Sequence, residues 1–218
     1  MHLIAWMYQH REIGITFRSD SNKVPLVMSD ASNKGDPNDS KRAYGYCCIW
    51  MGGPVVMVSK KMDHSSSATA ANEYMALSHA TKAAIWLRQL LNEIGVGELV
   101  TEPTPIYGDN KSANQWANEE RVTQGNMWIL QCYHYVKEMT QEGMVTVRRI
   151  GTKYNVSDLA TKGVSKETLS ALQPYVTGRR RVEELLAMNE EEEAKKGAAP
   201  ADQDQDDTVD GADFRDRQ

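Results

Sequence analysis

Apolar and polar positions change their period along this chain, and the changes divide it into elements. Leu3, Ile4, Met7 and Tyr8 recur at helical spacing near the start, which predicts the end of a helix over residues 1–11. Ile13–Arg18 and Val24–Asp30 read as strands, with Ser19-Asp20-Ser21-Asn22 as the turn between them. Ala43–Met51 and Val55–Ser59 follow as a hairpin joined by Gly52-Gly53-Pro54, giving an antiparallel meander of three or four strands. From Ala68 the period becomes helical: Tyr74, Leu77, Ala80, Ala84, Leu87, Leu90 and Leu91 share a face, and Gly95 stops the run. Pro105–Asp109 is a short strand, and a short helix begins at Asn110. A helix over Met127–Gln141, a strand over Met144–Ile150 and a short helix from near Val156 come next. Strands first in a meander and then alternating with helices predict an α/β sheet of mixed strand direction.

Composition adds a tail to that picture. The chain has 218 residues, 40% hydrophobic and 25% charged, and its mean hydropathy of −0.58 is low for a fully packed chain. From Val182 onward there are 13 acids and 4 bases, net −9, whereas residues 1–181 carry 17 acids and 21 bases, net +4. Glu183–Lys196 is helix-forming, and Gly197–Gln218, rich in Ala, Asp and Gln, reads as disordered. Cys47, Cys48 and Cys132 have no zinc-like spacing, and a reduced, intracellular compartment fits them. The short apolar opening reads as neither signal peptide nor membrane span.

Four acids stand where chemistry is expected. Asp30 and Asp109 end predicted strands, Glu73 lies in the first turns of the long helix, and Asp158 lies near the start of a late one. Separations of 43, 36 and 49 residues mean that only a fold could bring them together. Clustered carboxylates repel unless cations neutralise them, and hard oxygen donors without His or Cys point to Mg²⁺ or Mn²⁺. Two such ions about 3.5–4 Å apart suit in-line phosphodiester hydrolysis. Each acid also has a plainer reading: Asp109 and Asp158 as helix caps, Glu73 as a solvent-facing helix acid, and Asp36 and Asp39 as turn residues. Trp86 and Trp116, at helical spacing, read as core rather than as stacking platforms, and His134 reads as a packed histidine.

Ser29-Asp30-Ala31, Gly35-Asp36-Pro37, Gly45-Tyr46-Cys47, Ser59-Lys60-Lys61, Glu73-Tyr74-Met75-Ala76-Leu77-Ser78, Trp86-Leu87, Asp109-Asn110-Lys111-Ser112-Ala113 and Val156-Ser157-Asp158-Leu159-Ala160-Thr161-Lys162 resemble, in order and spacing, the ribonuclease H domain of copia-type LTR retrotransposon Pol polyproteins. The resemblance covers roughly residues 10–165 and implies a ribonuclease H-like fold, a mixed five-stranded sheet flanked by helices; the C-terminal helix and the disordered acidic tail beyond it are read from composition. Resemblance and composition together divide the chain into a residual connection helix at 1–11, the domain at 12–165, a C-terminal helical extension at 166–196 and the tail at 197–218, and the family motif has its own implication for the acids. It implies that Asp30, Glu73, Asp109 and Asp158 hold two Mg²⁺ ions, or Mn²⁺, and cleave the RNA strand of an RNA–DNA hybrid. Substrate contacts are expected from Thr69, Asn110, Lys111 and Ser112, with Arg148, Arg149 and Lys153 as more distant phosphate contacts or a solvated face.

The order Asp, Glu, Asp, Asp separates the chain from integrase-like relatives of the same fold, and Ser32 stands where proofreading-type exonucleases carry a second acid. As is common in copia-type domains, no histidine occupies the loop before Asp158. The departure from the family pattern is Asn126-Met127-Trp128-Ile129-Leu130, in place of a basic segment resembling Thr-Lys-His-Ile-Asp. The reading is therefore a metal-dependent endoribonuclease with an RNA–DNA hybrid as partner and a reverse transcriptase domain as a further one, without a membrane, in a cytoplasmic virus-like particle or the nucleus. The alternative is a catalytically inactive or repurposed domain of the same origin that binds nucleic acid or protein.

Overall fold

The computed structural model describes residues 2–32, 41–63, 68–118 and 130–198. The turn containing Asp36 and Asp39, most of the Asn126–Leu130 segment and the acidic tail from residue 199 lie outside the described residues. Five strands form one sheet: β1 Leu26–Ala31, β2 Ala43–Trp50, β3 Gly53–Lys61, β4 Thr104–Gly108 and β5 Val145–Arg149. Their order is β3-β2-β1-β4-β5; β1, β2 and β3 are antiparallel neighbours, while β4 runs parallel to both β1 and β5. With helices on both faces, this is the ribonuclease H-like fold expected from the sequence.

Strand β1 lies in the middle and is buried along its whole length, so its alternate residues feed two different cores. Val27 joins Cys48, Ile106 and Val147 on the face covered by α2 (Thr69–Glu93), which contributes Tyr74, Leu77, Ala84, Leu87 and Leu91. Leu26 and Met28 join Cys47, Ile49 and Tyr107 on the opposite face. That face is covered by α6 (Lys166–Val176) and α7 (Val182–Ala198) through Leu172, Tyr175, Val176, Val182 and Leu185. Burying each large apolar side chain stabilises the fold by about 1.5–3 kcal/mol.

The β2–β3 hairpin turns at Met51-Gly52 rather than at Gly52-Gly53-Pro54. Both turn residues have positive φ, 51° and 75°, the mirror-image turn that matches strand twist. Ile13–Arg18 is not a strand. Thr16 N–H donates to Thr177 O, Arg18 N–H donates to Met51 O, and the Arg18 guanidinium reaches Gly178 O and Arg179 O. The segment is a strap across the end of α6, with Ile15 and Phe17 left exposed, because its backbone partners are turns rather than a neighbouring strand. The first helix, α1, spans His2–Gln9 and exposes Ile4, Met7 and Tyr8. The other α-helices among the described residues are α3 Lys111–Asn118, α4 Leu130–Gln141 and α5 Asp158–Thr161, with short 3-10 turns at Gly97–Val100 and Thr152–Tyr154.

Two core expectations need correction. Trp86 lies on the outer face of α2 and is 49% exposed, whereas Trp116 is half-buried and tilted against Tyr74 at 6.0 Å between ring centroids. His134 is exposed on α4, whose buried side centres on Val136. Among the described residues, no helix is long and apolar enough to cross a membrane.

Candidate active site

Parallel strands end at the same edge of a sheet, and this decides the site. The β1–β4 register pairs Val27 with Ile106 and Met28 with Tyr107, so two residues further on Asp30 and Asp109 leave neighbouring strands side by side. Asp158 arrives from α5, and oxygens of Asp30, Asp109 and Asp158 all lie within 4.8 Å of one another. Glu73 approaches from the second turn of α2. It is buried, and its Oε2 accepts the Ala31 N–H at 2.9 Å, but its oxygens are not part of the triad's set. Three of the four acids are thus brought together directly, and the fourth braces the strand that carries the first.

Local structure fixes each acid. The cap of α3 is Asn110, whose Oδ1 accepts the Ala113 N–H at 2.9 Å, so Asp109 is free of the capping role considered for it. Asn114 Nδ2 donates to Gly108 O at 2.8 Å and ties α3 to the end of β4. Thr152 Oγ1 donates to Asp109 Oδ2 at 2.9 Å. Beneath Asp158, fully buried Asn155 donates to Ser29 O at 2.9 Å and accepts from the Ser157 N–H and hydroxyl. One side chain therefore fastens the Asp158 loop to the residue before Asp30. Helix α5 reaches the sheet because Gly45, paired with Asp30 across β1 and β2, has no side chain: a Cβ there would lie 2.8 Å from both Ala160 Cβ and Thr161 Cγ2.

That close approach delivers two further polar groups. The Thr161 hydroxyl donates to Asp30 Oδ2. Lys162 Nζ lies 3.2 Å from Asp30 Oδ1 and 2.9 Å from Asp158 Oδ1. Sequence reasoning assigned no role to Thr152, Asn155, Thr161 or Lys162. A signal for one existed, since Asp158 and Lys162 are four residues apart, the spacing of ion pairs on a helix.

The electrostatics follow from crowding. Burial, with the charges of Asp158 and Asp109, pushes Asp30 from the ordinary 3.8 to about 6, against the pull of Thr161 and Lys162. Burial and the charges of Asp30 and Asp109 push Glu73 up to about 9. Asp158 is also raised, by burial first and by Asp109, although Lys162 opposes the shift. Burial works against the Lys162 ammonium, but Asp30 and Asp158 outweigh it and hold its pKa above the usual lysine range. A cluster in which carboxylates resist ionisation, with hard oxygen donors alone, fits a divalent cation of the Mg²⁺ or Mn²⁺ type.

The expected substrate contacts lie around this cluster. Lys111 and Ser112 are exposed on the first turn of α3, directly after Asp109 and Asn110. Thr69 is exposed at the start of α2, one turn before Glu73. Arg149 and Lys153 are exposed beside the Asp109 end of the site, but both are engaged by α7. Arg149 pairs with Glu193 at 3.3 Å, and Lys153 pairs with Glu192, which also accepts the Tyr154 hydroxyl at 2.9 Å.

Over 156 residues, 72% of its length, the chain is 28% identical to the retrovirus-related Pol polyprotein from transposon TNT 1-94 of Nicotiana tabacum. Over 151 residues, 69% of its length, it is 27% identical to the corresponding polyprotein from transposon RE1 of Arabidopsis thaliana. The chain is a homologue of transposon Pol polyproteins. It spans 12% and 10% of the lengths of these two Pol relatives. Among solved structures, it is similar to the N-terminal RNase H domain of a Mycobacterium tuberculosis protein, at 13% identity and a TM-score of 0.45, covering 68% of this chain and 96% of that one. No protein-family model matches the chain.

Proposed function

We propose that this Pol-related chain is a metal-dependent endoribonuclease that hydrolyses the RNA strand of RNA–DNA hybrids. The observation that carries this reading is the convergence of Asp30, Asp109 and Asp158 on one point at the open end of the sheet, with Glu73 beneath them. A divalent ion, Mg²⁺ or Mn²⁺, held by these acids would supply Lewis-acid stabilisation of charge on the phosphate and activation of water. The chain's own residues do the rest. Thr152 and Asn155 hold Asp109 and the Asp158 loop in place, Glu73 braces Ala31, and Lys111 and Ser112 meet the backbone of the hybrid from the start of α3. Contacts of this kind go to phosphate and sugar, which suits an enzyme acting at many sequences. A reverse transcriptase region of the same polyprotein is the natural source of hybrid, in a cytoplasmic virus-like particle or the nucleus.

The test is cleavage of a hybrid labelled on each strand, by the purified chain in Mg²⁺ and in Mn²⁺, with Asp109→Asn as the blank. Cleavage of the RNA strand alone, lost in the variant, is expected. Hybrid binding that persists without cleavage in either metal, with or without added polymerase, would establish the binding-domain alternative instead.

A further inference from the structure

A positive charge is already built into the acidic cluster. Lys162 covers one oxygen of Asp30 and one of Asp158, while Thr161 occupies the other oxygen of Asp30, which is wholly buried. Lys162 is the extended residue that ends α5, four positions after Asp158, and the side-chain-free surface of Gly45 lets that helix lie against β2 opposite Asp30. Its own side chain is only 31% exposed.

Charge balance then limits what else the site takes. Asp30, Asp109 and Asp158 bring three negative charges and Lys162 returns one positive. The remainder of two equals the charge of a single divalent ion. Glu73 does not enlarge the demand at the triad, because its oxygens stand outside the triad's set and one is spent on the Ala31 N–H. A second divalent ion would have to share Asp30 and Asp158 with an ammonium in direct contact with both, at a separation where like charges in a poorly hydrated site repel strongly.

We propose that Lys162 stands in for a second cation, so that this site takes one divalent ion beside a fixed ammonium rather than a pair of ions. The inference rests on the reading of the triad as a metal centre. Lys162 is on this account a positioning residue: it holds Asp30 and Asp158 at a fixed separation and leaves Asp109, anchored through Thr152, as the most accessible ligand.

The test counts ions, not turnover. Mn²⁺ is titrated calorimetrically into the full chain without nucleic acid, at neutral pH. One ion per chain is expected for the native protein, two for Lys162→Met and one for Lys162→Arg, which keeps the charge. Lys162→Gln, uncharged but able to donate to the same carboxylates, gives a second route to two ions should the methionine variant not fold. Two ions in the native chain would overturn the proposal, as would one ion in every folded variant, and both results leave the metal-centre reading intact. No binding in any of them would remove the metal centre and the proposal together.

Discussion

Replacing Asp30 by asparagine should stabilise the fold in the absence of divalent ions, although it removes a carboxylate that is held by two partners. Inside the fold Asp30 titrates at about 6 instead of 3.8. At about 1.36 kcal/mol per pH unit, its ionised form therefore costs about 3 kcal/mol more in the native than in the unfolded chain. The native state binds the proton more tightly, so stability falls as pH rises from about 4 to about 6 and stays low above that. Glu73, pushed to about 9, adds a loss of the same sign at higher pH. Asparagine keeps the volume and an acceptor for the Thr161 hydroxyl but gives up the ion pair with Lys162. We therefore expect a gain of about 1–3 kcal/mol at pH 8, which is roughly 2–10 °C in Tm for a domain of this size. The gain should be mostly gone at about pH 4, where Asp30 is protonated in the native state. Scanning calorimetry at both pH values, with and without millimolar Mg²⁺, measures it, and the ion should stabilise the native chain more than the variant. An Asp30→Asn protein less stable than the native one at pH 8, or a gain of equal size at both pH values, would refute the account of the cluster as an ionised, strained cation site.

Two further substitutions test how the site is assembled. Gly45→Ala places a Cβ 2.8 Å from Ala160 and Thr161, so we expect a loss of about 1–3 kcal/mol in urea unfolding together with weaker Mn²⁺ binding as α5 is pushed off the sheet. Asn155→Ala leaves Ser29 O and the Ser157 amide without their partner in a buried site, with an expected loss of about 2–4 kcal/mol, read as a shift of the urea midpoint at unchanged m-value.

The sequence by itself determined most of the elements and named the acids. The helical period from Ala68 and the two strands that end in acids carry their own evidence. Side chains that alternate on a strand or recur each helical turn must find apolar partners wherever the chain goes, and that need is written locally. It also led astray where local pattern and partner disagreed. Ile13, Ile15 and Phe17 alternate like a strand but meet turns rather than a ladder, and Trp86 falls on the helix's apolar spacing while facing outward. The tertiary structure decided which acids meet. Asp30 and Asp109 are neighbours because β4 lies parallel to β1, a pairing set by the α2 crossover and by no local signal. The roles of Gly45, Asn155, Thr161 and Lys162 depend on partners up to 132 residues away, and a short polar side chain looks the same in sequence whether it faces water or a buried carboxylate. The charge that balances the acids was therefore decided by packing: a backbone approach allowed at one glycine brings a lysine to two aspartates.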